Sequence, residues 1–202
     1  NLLGVDVAVG HWEFTYKAEE VLANVKELKA EFLAQNIFVK EDSMMNGVEA
    51  YDEDTGHAFK PYTIKKMGNA RVAIIGQAFP YTTIANPQRF IPDWTFGIKE
   101  DSMQEIVNKI KAEEKPDAII VLSHNGFDTD KKMAEVVTGI DFIMGGHTHD
   151  GVPEAVPVKN ASGTTYVCNA GSNGKFLNVL DLDIQKGKIK DFKFTLLPIF
   201  SD

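Results

Sequence analysis

Histidine is the residue type in this chain that could do chemistry, and its placement along the sequence is uneven. The chain has five histidines, and four of them (His11, His124, His147 and His149) follow apolar runs that end in small residues. A single histidine at such a place is more often an ordinary hydrogen-bonded residue. Four, two of them in a His-x-His motif, favour a shared metal site, because imidazole is a common ligand of transition metals. The fifth, His57, lacks this context and is predicted to lie on the surface.

The stretch from 116 to 150 must position three of these histidines. Two apolar runs, at 118–122 and 140–144, have the length of buried parallel strands, and a helix is predicted between them at 128–138. The stretch therefore predicts one βαβ unit. Its two strands would end at the same edge of the sheet, where open α/β sheets bind ligands. We expect His124 to meet His147 and His149 at that edge.

The rest of the chain predicts mixed α/β structure that gives way to antiparallel β-structure. The strand predicted at 2–9 would deliver His11 to the same edge as the βαβ unit. Further strands are predicted at 32–35, 61–66, 71–77, 164–169, 176–184 and 189–197, helices at 17–31 and 98–114, and irregular loops at 36–56, 79–97 and 152–163.

The composition is that of one globular domain with a sizeable core: 202 residues, of which 44% are hydrophobic and 25% charged. The formal net charge of -8 argues against nucleic acid or an anionic membrane surface as the main partner. The sequence has neither a signal-peptide pattern nor an apolar run long enough to span a membrane. It opens at Asn1 almost directly into a strand, as a piece cut from a longer protein would, and the single Cys168 leaves the redox compartment open.

Two glycines favour a metal at the end of the second strand of the βαβ unit. Gly145 and Gly146 would let the backbone approach an ion closely, because no Cβ stands in the way. Four histidines with one ion would resemble a structural zinc site, but nothing else in the sequence suggests a fold held together by zinc. Two ions would also need bridging carboxylates. No aspartate follows a fourth predicted strand. That gap is expected if an N-terminal piece of the domain precedes Asn1.

Several blocks of the sequence resemble a known family. Ser-His-Asn-Gly at 123–126, Gly-Gly-His-Thr-His at 145–149 and Cys-Asn-Ala-Gly-Ser at 168–172 are similar to the 5'-nucleotidase branch of the calcineurin-like metallophosphoesterases. Gly-His-Trp-Glu-Phe-Thr-Tyr at 10–16 and the ending at 196–201 resemble SoxB, the thiosulfohydrolases of the sulfur-oxidising (Sox) system, within that branch. Nucleotidases have Gly-Asn-His-Glu at the first of these two places. The resemblance covers essentially the whole chain.

The resemblance implies an α/β fold of the metallophosphoesterase type, a mixed-sheet sandwich flanked by helices and incomplete at both ends. Residues 1–202 would form a partial catalytic domain. The family's Asp-x-His and Gly-Asp metal motifs would lie upstream of Asn1, and the C-terminal domain that closes over the substrate would follow the chain. Lys17 stands where SoxB proteins usually have glycine.

By the same resemblance, we expect a centre of two divalent metal ions, with manganese as the metal and zinc or iron as alternatives. His124 and His147 would bind one ion, and His149 would bind the other. His11 takes the place of the nucleotidase asparagine ligand and would bind the same ion as His124. Glu13 is expected to support this turn as a hydrogen-bonding or capping group.

The implied activity is that of a metal-dependent hydrolase. A hydroxide held between the ions would attack the terminal sulfone sulfur of a cysteine S-thiosulfonate on the SoxYZ carrier protein and release sulfate. The resemblance also implies a periplasmic location. Trp12 stands where nucleotidases have a histidine that assists the reacting groups. We predict that a weakly basic persulfide leaving group makes this help dispensable, and that the Trp12 indole walls the channel for the carrier's cysteine arm; burial as core is the alternative.

Two asparagines and two other functions complete the expectations. Asn125 and Asn173 lie on loops near the predicted metal edge and could contact sulfonate oxygens, although asparagine also forms turns at such places. One alternative function is that of a 5'-nucleotidase or other metal-dependent phosphoesterase. The other is an inactive fragment that binds one metal weakly or none, which is the expectation for these 202 residues in isolation.

Overall fold

The computed structural model describes residues 1–200, which form strands β1 to β12 and helices α1 to α5. The strands are β1 (Val7–Ala8), β2 (Glu31–Phe32), β3 (Phe38–Val39), β4 (Tyr62–Met67), β5 (Ala70–Gln77), β6 (Trp94–Thr95), β7 (Ala118–Ser123), β8 (Phe142–Gly145), β9 (Val156–Asn160), β10 (Gly163–Asn169), β11 (Phe176–Gln185) and β12 (Lys188–Pro198). The helices are α1 (Ala18–Glu27), α2 (Glu41–Met45), α3 (Thr82–Ala85), α4 (Glu100–Glu113) and α5 (Phe127–Val136). Ser201, the last residue of the C-terminal block that resembles SoxB, lies outside the described residues.

A six-stranded mixed sheet in the order β4-β5-β7-β8-β10-β9 forms the centre of the fold. Strands β5, β7, β8 and β10 are parallel to one another, whereas β4 and β9 run antiparallel at the two edges. The mixed α/β class expected from the sequence is therefore confirmed. The four parallel strands end at one edge of the sheet, which gives the turns that follow them a common location.

The βαβ unit predicted at 116–150 is present. Strand β7 runs parallel to β8, with Ile120 opposite Phe142 and Leu122 opposite Met144, and α5 forms the crossover. Helix α5 begins one residue earlier than predicted and ends two residues earlier. Gly126 precedes the helix with a φ of 99°, a conformation that favours glycine.

The predicted strand at 2–9 is wrong in its extent, and the part that is present does not join the six-stranded sheet. Only Val7–Ala8 is extended, and it pairs in parallel with β2 in a separate two-stranded sheet. Leu2, Leu3 and Val5 are exposed, so the apolar run is not a buried central strand. Hydrophobicity alone suggested a longer strand here, but a strand also needs a neighbour to accept its hydrogen bonds.

Alternation along the central strands places a helical layer on one face of the sheet. Ala73, Ile75, Ile119, Val121 and Ile143 point to the same side and are buried against helices α4 and α5. The helices contribute Met103, Ile106, Val107, Ile110, Met133 and Ala134. Within residues 1–200, no helix is long and apolar enough to cross a membrane.

The last two strands form an antiparallel hairpin, as predicted. Their pairing runs from Phe176 opposite Pro198 to Gln185 opposite Lys188. Phe192 packs against Phe142 and Tyr166, with ring centroids 5.0 and 4.5 Å away, so the hairpin contacts the central sheet.

Three loops and one histidine differ from the predictions. The stretch at 152–163 contains edge strand β9, the stretch at 36–56 contains β3 and α2, and the stretch at 79–97 contains α3 and β6. His57, predicted to lie on the surface, is only 6% exposed. Its ring packs on Phe38 at 4.5 Å, and its Nδ1 lies 2.7 Å from the Thr55 hydroxyl. Long-range packing, which short sequence patterns do not report, accounts for these differences.

Candidate metal centre

Three imidazoles converge beyond the ends of the parallel strands. His11, His124 and His147 each offer a ring nitrogen, and these atoms all lie within 4.8 Å of one another. The ring centroids are 4.6 Å apart for His11 and His124, 4.9 Å for His11 and His147, and 5.4 Å for His124 and His147. Nδ1 of His147 is buried and has no hydrogen-bond partner. An imidazole nitrogen with no protein partner suits a metal ligand, so this donor set fits a transition-metal ion.

The ends of β7 and β8 place two of these imidazoles. His124 directly follows β7, and its N–H continues the ladder to the carbonyl of Gln77 at 2.8 Å. His147 and His149 follow β8 with φ angles of 76° and 62°, a left-handed backbone that is uncommon for residues other than glycine. Thr148 secures this turn, because its hydroxyl accepts a hydrogen bond from the N–H of Phe127 at 3.0 Å and also bonds Asp150.

His11 reaches the cluster from outside the six-stranded sheet. The carbonyl of Gly10 accepts a hydrogen bond from the N–H of Phe79 at 3.1 Å, which ties this turn to the residues after β5. The Glu13 carboxylate accepts a hydrogen bond from the N–H of His11 at 2.6 Å, consistent with the predicted capping role. Trp12 is 64% exposed, and its ring lies 5.0 Å from that of His11. Its indole therefore borders the cluster and is not core.

Burial and mutual repulsion keep the clustered imidazoles neutral. Burial, and secondarily the charge of His11, lower the pKa of His124 to about 4. Burial and then His147 lower the pKa of His11, against a smaller opposite effect of Glu13. Burial and then His149 lower the pKa of His147. Because only the neutral imidazole binds a metal, these shifts favour the ligand form near neutral pH.

The other predicted site residues are placed differently from these three. His149 is exposed and does not belong to the three-histidine group, although it is close enough to affect the pKa of each member. Asn173 is exposed, with a φ of 57°, in the turn between β10 and β11. Asn125 is 3% exposed, and its amide is used internally: Oδ1 accepts from Gln77 at 2.9 Å, and Nδ2 donates to Asp130 at 3.1 Å. Its side chain is thus not free to contact a substrate.

Sequence reasoning missed Phe79 and Asp130. Phe79 lies 4.4 Å from the His11 ring and 4.2 Å from the His147 ring, and its position just after a parallel strand could have indicated this. Asp130 lies on the buried face of α5 and is 0% exposed. Burial raises its pKa to about 7, against the opposite effect of hydrogen bonds from Ser123 and Asn125. The sequence did carry a signal that Asp130 is buried: it stands three residues before Met133, which places it on the apolar face of an amphipathic helix.

The fold is similar to that of several hydrolases of known structure. No model of a protein family matches the chain. The chain is 25% identical to the protein UshA of Yersinia enterocolitica over 98% of its own length and 39% of UshA. It superposes on a 5'-nucleotidase precursor from Thermus thermophilus with a TM-score of 0.78 and 25% identity, over 96% of the chain and 39% of that protein. The chain therefore has the mixed α/β fold of 5'-nucleotidase and metallophosphoesterase N-terminal domains.

The chain is also similar to one particular enzyme of known structure. The chain superposes on the sulfate thiohydrolase SoxB of Thermus thermophilus, solved in complex with glycerol, with a TM-score of 0.82 and 34% identity. This match covers 98% of the chain and 33% of SoxB. The homologues of the chain are 5'-nucleotidase and UshA proteins of the calcineurin-like phosphoesterase class. The chain spans about 39% of the length of UshA.

Proposed function

We propose that this protein is a metal-dependent hydrolase whose metal centre includes His11, His124 and His147. The observation that carries the proposal is the convergence of three imidazole nitrogens within 4.8 Å at the strand ends of a metallophosphoesterase-type fold. Divalent ions held there would lower the pKa of a water molecule and neutralise developing oxyanions. The resemblance to dinuclear enzymes assigns a second ion to His149. Manganese remains the proposed metal, although imidazole donors also suit zinc and iron.

The side chains around the cluster would orient the ligands and limit the access of water. Phe79 packs against two of the imidazoles and restricts their rotation. Glu13 holds the backbone of His11 in place. The exposed indole of Trp12 leaves one side of the cluster bordered by an aromatic surface that a substrate can approach.

We propose a cysteine S-thiosulfonate as the substrate class. Three observations support it: the Gly-His-Trp-Glu-Phe-Thr-Tyr block, the exposed indole beside His11, and the similarity to SoxB. In this hydrolysis, a water oxygen forms a bond to the terminal sulfone sulfur and the S–S bond breaks. The persulfide leaves as an anion with the electron pair of that bond, and sulfate and the two protons of the water are released. Because a persulfide is a weak base, no histidine is needed at position 12 to protonate it.

The proposed partner is the SoxYZ carrier protein, which presents the modified cysteine on an arm that the Trp12 indole would contact. A periplasmic location belongs to the same proposal. Asn173, exposed on the neighbouring turn, remains a proposed contact of the sulfonate oxygens.

A second candidate function is that of a 5'-nucleotidase or another metal-dependent phosphoesterase. The match to the Thermus thermophilus 5'-nucleotidase precursor favours it. Against it, the chain has Gly-His-Trp-Glu at 10–13, whereas the resemblance to nucleotidases implies Gly-Asn-His-Glu.

The two functions are separated by the product that is released. The full-length protein, supplied with Mn²⁺ or Zn²⁺, is incubated with a peptide that carries a cysteine S-thiosulfonate and, separately, with AMP. Sulfate release without phosphate release is the expected result. Phosphate release alone would establish the second candidate, and no release from either substrate by the metal-loaded protein would leave only a metal-binding role.

Trp12→His tests the argument about the leaving group. We expect this variant to hydrolyse the thiosulfonate at the wild-type rate or more slowly, because general acid catalysis has little to add. The initial rate of sulfate release is the measurement, with Tyr16→His as a control, since Tyr16 is equally exposed at the end of the same helical turn. A faster Trp12→His variant would contradict the proposed role of the indole.

A further inference from the structure

A chain of buried polar side chains runs beneath the histidine cluster. Gln35, Gln77, Ser123, Asn125 and Asp130 are each at most 3% exposed. Gln35 donates to the Oε1 of Gln77 at 2.6 Å, Gln77 donates to Asn125 at 2.9 Å, and Asn125 donates to Asp130 at 3.1 Å. Such a network is costly to bury, so its position under the site calls for a physical reason.

One oxygen of Asp130 holds the turn that carries His124. Its Oδ1 accepts a hydrogen bond from the Ser123 hydroxyl at 2.6 Å and from the Asn125 amide at 3.1 Å. These two donors flank His124 in the sequence. The Ser123 oxygen also accepts the N–H of Asn125 at 3.1 Å, which closes the turn on itself. The backbone of His124 is therefore fixed on both sides by a single carboxylate.

The other oxygen of Asp130 lies against the strand end that carries His147. Oδ2 is buried without a hydrogen-bond partner, and a Cβ added to Gly145 would collide with it. Gly145 is the last residue of β8, two residues before His147. One side chain on α5 thus contacts the ends of both strands of the βαβ unit.

The network also reaches the third parallel strand. Gln77 ends β5, and its amide donates to the Ile98 carbonyl at 2.9 Å as well as to Asn125. Phe79, two residues further on, packs against the rings of His11 and His147. The same hydrogen-bonded chain therefore links the ends of β5 and β7 with α5, next to the residues that carry His124 and Phe79.

We propose that Asp130 is a positioning residue, which sets the ends of β7 and β8 relative to each other so that His124 and His147 face one metal ion. The proposal rests on the metal centre described under the proposed function. An apolar residue would bury at lower cost on this face of α5, beside Met133 and Ala134. Groups that orient ligands in this way are worth about 10- to 100-fold in metal affinity.

The test is the Zn²⁺ affinity of Asp130→Asn, measured by competition with a chromophoric chelator. Asp128→Asn is the matched control, because it makes the same substitution on the same helix at an exposed residue, which pairs with Lys131 at 2.8 Å. We expect Asp130→Asn to bind Zn²⁺ at least ~10-fold more weakly and Asp128→Asn to match the wild type. An affinity within about twofold of the wild type in a folded Asp130→Asn variant would overturn the proposal.

Two further measurements decide the question if Asp130→Asn does not fold or if the wild type does not bind Zn²⁺. If Asp130→Asn fails to fold, Ser123→Ala removes one donor to the same carboxylate and decides the question: weaker Zn²⁺ binding supports the proposal, and unchanged binding overturns it. If the wild type binds no Zn²⁺, the nuclear Overhauser contacts between the His124 and His147 rings decide. Their loss in Asp130→Asn supports positioning, and their persistence overturns it.

Failure of the proposed function would look different. If Asp130→Asn weakens Zn²⁺ binding while the metal-loaded wild type releases neither sulfate nor phosphate, the positioning role stands and the hydrolase function is rejected. If hydrolysis is observed and Asp130→Asn binds Zn²⁺ as the wild type does, only the positioning role is rejected.

Discussion

His124 is the imidazole whose protonation is most strongly opposed by its surroundings. Burial, followed by the charges of His11, His147 and His149, lowers its pKa to about 4. In the unfolded chain its pKa would be about 6.5. Between these two values the unfolded state binds more protons than the folded state, so the contribution of His124 to stability is complete above pH ~6.5 and is lost as the pH falls toward ~4.

This difference predicts the acid stability of His124→Gln in the absence of metal. The variant should lose less unfolding free energy than the wild type between pH ~6.5 and ~4, because glutamine does not titrate. Urea unfolding of the wild type and of His124→Gln at a series of pH values is the measurement. The raised pKa of Asp130 contributes with the opposite sign, stabilising toward low pH, but it is present in both proteins and cancels in the comparison. Parallel curves for the wild type and His124→Gln would contradict the burial of this imidazole.

At the scale of elements, the turns that present the site carry backbone strain. His147 and His149 both have positive φ angles, and so does Lys17, which separates the helical turn Trp12–Tyr16 from α1. Lys17 has φ 75° and ψ 159°, a region that is almost restricted to glycine. The resemblance to SoxB implies glycine at this position, and the chain departs from it with Lys17, in a backbone conformation that glycine adopts without strain.

Lys17→Gly should therefore stabilise the protein by about 1 kcal/mol. Glycine relieves a backbone strain of about 1–3 kcal/mol, and its greater conformational entropy in the unfolded chain offsets part of that gain. Chemical denaturation provides the measurement. Lys26→Gly, inside α1, is the control and should cost about 1 kcal/mol, the usual penalty of glycine in a helix. A destabilised Lys17→Gly variant would show that the lysine makes a contact that outweighs its strained backbone.

At the scale of the whole molecule, metal binding and folding are linked. The three imidazoles come from residues 11, 124 and 147, so an ion at the cluster joins parts of the chain that are distant in sequence. Any ion that binds only the folded state stabilises it in proportion to the logarithm of its concentration over its Kd. The melting temperature consequently reports on the cluster without an assay of activity.

Zn²⁺ at about 100 times its Kd should stabilise the wild type by about 2.7 kcal/mol, and EDTA should reverse the effect. Differential scanning calorimetry is the measurement. His147→Ala should abolish most of the Zn²⁺-dependent increase in melting temperature. His149→Ala should retain the part of that increase that comes from an ion bound by the other three histidines. An equal increase in His147→Ala would locate the bound ion elsewhere in the protein.

Much of the site could be predicted from the sequence because its geometry follows from local rules. Apolar runs of strand length separated by one helix predict a right-handed βαβ unit, and parallel strands end at a common edge. These two rules correctly predicted that His124 and His147 lie close together. The antiparallel pair β4–β5 and the hairpin β11–β12 were also predictable, because their turns interrupt clear runs of strand residues.

The tertiary structure alone decided the remaining features. The sequence determined which residue types stand at strand ends, and hence that a histidine cluster would form. The metallophosphoesterase-type fold was implied by its resemblance to that family. It did not determine that β1 lies outside the central sheet, that His57 is buried, or that Asn125 bonds inward to Asp130. Each depends on contacts between residues far apart in the chain or on opposite faces of a turn. Such contacts are selected by packing and by the need to pair every buried polar group, which no short pattern encodes.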